Sequence, residues 1–155
     1  MVDLGADRVN STFTKRPLEV SKDKFARNVL QNLNDAAFDS NHHDIKYLVN
    51  CGDRIDNCQS ITGEAPIHKS VLSSTNAEKQ NTLTTIIVDC NAGLDTLDSN
   101  GWTALHHASY NGDIDSTNTL LAQGASVDAF SNLRRTALHF AAMKDHVNVI
   151  QVLKK

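Results

Sequence analysis

Apolar residues come in short clusters along this chain, and the clusters recur. Thr103-Ala104-Leu105-His106 and Thr136-Ala137-Leu138-His139 are the same tetrapeptide, 33 residues apart. Each opens a run with Ala and Leu at helical spacing. A polar break follows, and then a second apolar run. The second runs are Ile45 to Val49, Leu83 to Val88, Leu120-Leu121 and Val147 to Leu153. After the first three come a turn residue and an apolar-Asp pair: Gly52 with Ile55-Asp56, Gly93 with Leu94-Asp95, and Gly124 with Val127-Asp128. The pattern predicts a helix, a tight turn, a second helix and an extended loop, repeated at a fixed period.

Weaker copies lie upstream. Gly63-Glu64-Ala65-Pro66-Ile67-His68 matches, but His68 to His106 is 38 residues, five more than 33. The excess is assigned to the polar stretch Ser73 to Asn81 and expected as a surface loop between helices. Leu33 aligns with Ile67 at an offset of 34, and Ala36-Ala37 falls where Ala141-Ala142 falls. Small residues (Ala108, Ser109, Ala141, Ala142) let neighbouring helices approach closely. Gly112 and Gly124 stand where a helix ends and positive φ is needed. Asn91 takes the Gly124 position and Asp145 the Gly112 position.

T-A-L-H-x-A at this period, with G-A-x-V-D between copies, resembles the ankyrin repeat. The resemblance implies an all-α solenoid of helix–turn–helix units with hairpin-like loops. About four repeats are expected, near 30–59, 60–97, 98–130 and 131–155, in a domain over 23–155. Residues 1–22 read as a polar N-terminal extension.

The units are unequal. The first carries Gln31-Asn32-Leu33-Asn34 in place of T-A-L-H, with the charged run Lys22 to Arg27 before it, as suits a terminal cap. The third has Ser116-Thr117-Asn118-Thr119 where its second helix should carry aliphatics. It is expected to pack less well than the second unit, whose face is Leu83, Ile86, Ile87 and Val88. Each lost aliphatic would cost roughly 1–3 kcal/mol. The fourth ends on Val147, Val149, Ile150, Val152 and Leu153, then Lys154-Lys155, which favour a helix C-terminus. Two readings of that end stay open: the lysines are a crude cap, or the chain is cut from a longer protein. An open end implies self-association through the C-terminal face.

Composition narrows the function. Fifteen basic and 18 acidic residues leave a net charge of -3 over 155 residues. Strong non-specific nucleic-acid binding is not expected; an adaptor role through Arg134, Arg135, Lys144, Lys154 and Lys155 is the alternative. No apolar window approaches the roughly 18 residues of a membrane span, so no membrane insertion is expected. No signal-like apolar run opens the chain. Three loosely spaced cysteines (Cys51, Cys58, Cys90) argue against a disulfide framework and for a cytoplasmic or nuclear setting.

No phosphate-loop, dinucleotide, zinc-protease or nucleophile-elbow motif occurs. The chain is therefore expected to be non-enzymatic, with no small-molecule substrate, cofactor or metal. His68, His106 and His139 recur once per unit, which makes them scaffold. The resemblance implies that each, with Thr103 or Thr136 where present, hydrogen-bonds backbone at the hairpin-to-helix junction. The pairs His42-His43 and His106-His107 point to different helix faces and cannot chelate. Cys51 and Cys58 lack the spacing of a zinc site. Asp95, Asp98, Asp113 and Asp128 read as turn formers.

The resemblance further implies that loop tips and first helices line a concave face whose variable residues choose a protein partner. Those positions are Ile61, Thr62 and Glu64; Ser99, Asn100, Trp102, Tyr110 and Asn111; and Asn132, Leu133, Arg134, Arg135, Met143 and Lys144. Trp102, Tyr110, Arg134 and Arg135 would form an aromatic and basic patch suited to an acidic, partly apolar peptide or a partner with an acidic rim. A plainer reading packs Trp102 on its own hairpin and leaves the arginines solvated. The role expected is an interaction module in a signalling, scaffold or regulatory protein, or an I-kappa-B-like inhibitor that sequesters a transcription factor.

Overall fold

The computed structural model describes residues 33–52, 55, 62–73 and 76–155. The extension 1–22, the run Lys22 to Arg27, Cys58 and Ile61 lie outside the described residues. Within them the helices come in four pairs: α1 (Leu33–Phe38) with α2 (His42–Asn50), α3 (Pro66–Leu72) with α4 (Asn76–Thr84), α5 (Ala104–Asn111) with α6 (Ile114–Ala122), and α7 (Ala137–Met143) with α8 (Val147–Leu153). A π-helical turn, Thr85–Asp89, continues α4. The first helices pack in chain order, α1 on α3, α3 on α5, α5 on α7. The second helices form the adjoining layer. Among the described residues there is no strand.

Close packing of the first helices follows from their alanines. Ala36, Ala108 and Ala141 have no exposed surface, and Leu33, Ile67, Leu105 and Phe140 fill the space between them. Each start is fixed locally. Thr103 Oγ1 accepts from the His106 N–H, and His106 Nδ1 accepts from the Thr103 N–H at 2.8 Å. This reciprocal cap satisfies two donors that a helix start leaves open. In the second unit Ala65 has no hydroxyl; Pro66 at the first helical position needs no partner for an N–H, and His68 Nδ1 still accepts from Ala65 N. The chain leaves α5 at Gly112 (φ +73) and α7 at Asp145 (φ +60), and Asn91 (φ +56) takes the position of Gly124 (φ +100).

One sequence expectation fails and another is refined, both for definable reasons. The five extra residues of the second unit do not form a loop. Asn76 to Asn81 is helical, and α4 has nine residues like α6 before adding the five-residue π turn. Cys90 N bonds Thr85 O, a wider turn than an α-helix makes. The excess is thus absorbed as helix. Leu83, Ile86 and Ile87 stay buried while Val88 turns outward, 55% exposed.

The second helix of the third unit buries one aliphatic, Leu120, where the second unit buries Leu83, Ile86 and Ile87, but polar groups fill the rest of its face. Ser116 and Thr117 have no exposed surface, and their polar groups are paired. Asp113 caps α6 through the Ser116 N–H and accepts the Ser116 hydroxyl at 2.7 Å; the Thr117 hydroxyl donates to Asp113 O. Across the junction Lys79 Nζ meets Asp113 Oδ2 at 2.6 Å, and Gln80 donates to Ser116 Oγ and accepts from the Thr119 hydroxyl. Hydrogen-bonded polar groups replace aliphatics there, which packing permits when every group is paired.

Candidate partner-binding surface

The surface rests on loops joined tip to tip. In the third unit Asp98 N donates to Trp102 O, and Asp98 Oδ1 accepts the N–H groups of Asn100 and Trp102, both at 2.9 Å. In the fourth, Ser131 N donates to Arg135 O and Ser131 Oγ accepts from Arg135 N. Neighbouring tips are tied by Ser99 N to Thr62 O, Asn132 N to Asn100 O, and the Asn132 amide to Ser99 O.

This ladder explains the residue at each tip. A Cβ on Gly63 would come within 2.8 Å of Ser99 N, and one on Gly101 within 2.8 Å of Asn132 N. Both glycines also have φ near +70. Arg134 holds the same position with φ +61, but among the described residues no further tip lies against it, so a side chain fits. Its guanidinium lies 4.7 Å from the Phe130 ring centre.

The histidines tie first helices to the loops that follow them, and His68 also reaches the next unit at Trp102. His68 Nε2 donates to Thr96 O and Trp102 O at 2.9 and 3.0 Å. His106 Nε2 donates to Ala129 O at 2.9 Å. Both rings are buried, and burial is the largest force holding both below the ordinary histidine pKa; at His68 the neighbouring His107 adds to it. His139 makes the same bond to its own cap, Thr136 N, but is exposed.

Trp102 is half-buried, and its indole packs on helices rather than only on its own hairpin. Ring centres lie 4.3 Å from Phe140, 4.9 Å from His107 and 5.4 Å from Tyr110. Lys144 Nζ sits 4.5 Å above the Tyr110 ring. The structure so joins Trp102, Tyr110 and Lys144, while Arg134 stacks on Phe130. Ser99, Asn100, Asn111, Asn132, Leu133 and Met143 are exposed, and Arg135 is half-buried. Thr62 is exposed, but Glu64 is buried, bonded to Thr62 and to Lys69 Nζ.

Sequence reasoning passed over four residues here. Leu97 and Phe130 occupy one repeat position, just before Asp98 and Ser131, and are 52% and 51% exposed. Their signal was legible: a large apolar residue in a turn-rich loop, twice, 33 residues apart. Phe140 and His107 had no such signal, because each follows a scaffold histidine and reads as helix filler.

Charge is also uneven. Residues 131–155 carry five basic residues and one acid, Asp145, a net +4 that leaves -7 on residues 1–130 of a chain at -3. Among the described residues no helix is long and apolar enough to cross a membrane.

No curated protein matches this chain in a search by sequence. The family model described as ankyrin repeats (3 copies) matches residues 33–130 and again residues 76–155. Together those two matches span residues 33–155, which hold all four described helix pairs, and the chain belongs to the ankyrin repeat family.

Proposed function

We propose that this protein recognises an acidic, partly apolar segment of another protein through the loop tips and first helices of its third and fourth units. Ankyrin repeats are in general protein–protein interaction modules. The observation that supports this particular surface is its combination of exposed apolar and basic side chains. Leu97, Phe130, Leu133 and Met143 are each more than half exposed; the Arg134 guanidinium lies over Phe130 and Lys144 over Tyr110, which packs on Trp102. Exposed apolar residues next to basic side chains favour a partner that brings apolar anchors and acidic groups. A cytosolic or nuclear signalling or scaffold role stays part of this reading. The test is affinity capture with the wild type and a Trp102→Ala, Arg135→Glu variant that melts cooperatively. Loss of a specifically retained protein, by about tenfold or more, is expected for two hot-spot residues. Unchanged retention of every bound protein would sink the proposal.

A second reading, self-association through the C-terminal face, has its own observation. Leu105, His106 and Ser109 are buried under the fourth unit, whereas their counterparts Leu138, His139 and Ala142 are exposed. Sedimentation equilibrium should then show association that Leu138→Asp weakens. A monomer at every concentration would dismiss it.

A further inference from the structure

Trp102 is the only tryptophan in the chain and is held from three sides. Its backbone N–H donates to Asp98 Oδ1, its carbonyl accepts from His68 Nε2, and its indole lies against His107. The other oxygen of Asp98 accepts from His107 Nε2 at 2.8 Å. Both partners are largely enclosed, with side-chain exposures of 3% for Asp98 and 12% for His107. A carboxylate only accepts, so the His107 proton sits on Nε2.

Stacking does not demand this pair. In the fourth unit the Asp98 position is Ser131 and the His107 position is Phe140, so both members change together. In the second unit the His107 position is Lys69, which pairs with Glu64. The His–Asp link therefore belongs to the one unit that carries the tryptophan.

We infer that His107 is the positioning residue of the recognition surface: it fixes the Asp98 carboxylate that holds the Trp102 backbone N–H, and its ring backs the indole. Trp102 is thereby presented in one pose, and a side chain already ordered loses less freedom on binding. The inference rests on the reading of Trp102 as a recognition residue.

The single tryptophan reports directly. Emission maximum and acrylamide quenching are measured on the full chain for wild type, His107→Leu and His107→Gln, with far-UV circular dichroism as the fold control. Gln retains an N–H donor for Asp98. The Leu variant should shift emission to the red and raise the quenching constant; the Gln variant, which keeps the donor but loses the ring, should fall between Leu and wild type. A folded Leu variant with wild-type emission and quenching overturns the inference. So does a folded Gln variant as disturbed as Leu. If the Leu variant does not fold, the Gln variant decides alone: displaced emission supports the inference and wild-type emission and quenching overturn it. These readouts need no partner, so their failure is separate from that of the proposed function. A loosened Trp102 with unchanged retention of captured protein would count against the recognition reading and leave the positioning role intact.

Discussion

The three repeat histidines share a sequence position but not an energetic role. His106 satisfies Thr103 N on one side and Ala129 O on the other, inside a buried junction. Removing its ring strands both groups, at about 1–3 kcal/mol each. His139 has only the near bond and faces solvent. His106→Leu should therefore lower the denaturant midpoint far more than His139→Leu; equal losses would refute the distinction. The same burial predicts a pH dependence. His68 and His106 are held below the ordinary value, so the unfolded chain takes up protons first as pH falls below about 6.5. Their contribution is complete above that pH and is lost below it. The midpoint should drop between about pH 7.5 and pH 5.5, and a flat profile would contradict the buried neutral rings.

The π turn after α4 shows what periodicity can and cannot convey. The sequence records a five-residue excess in the second unit but not where the chain stores it. Ser73 to Asn81 is polar, so a loop was the natural expectation. That expectation ignored Lys79 and Gln80, which need partners supplied 34 to 39 residues away by Asp113, Ser116 and Thr119. Lys79→Met should cost about 3 kcal/mol, since it leaves Asp113 without its cation in a largely enclosed site. A Lys79→Met, Asp113→Asn double variant should recover part of that loss. Burial pushes the Asp113 carboxyl up, but Lys79 and Ser116 outweigh it and hold it below its ordinary value. The junction's stabilisation is therefore present above about pH 4 and is lost as pH falls further. Additive single and double effects would argue that the residues do not interact.

At the scale of the molecule, the stack was legible because its evidence repeats: four described helix pairs, shared glycines and a histidine in three of the units. The binding surface was legible only in part. Trp102 and Tyr110 stood out as aromatics the repeat does not require, and the structure joins them through Phe140. Arg134 was grouped with them by its loop-tip place in the repeat, yet its side chain lies over Phe130. His107 was hidden because its value depends on Asp98, nine residues earlier in a loop. Whole-chain charge hid the surface further, since a net -3 conceals a basic final unit. The most direct test of the account is hydrogen exchange on the complex with a captured protein. The account predicts slowed exchange at residues 97–111 and 130–144, with α2 and α6 unchanged. Protection confined to α2, α4 and α6 would place recognition on the other layer and contradict it.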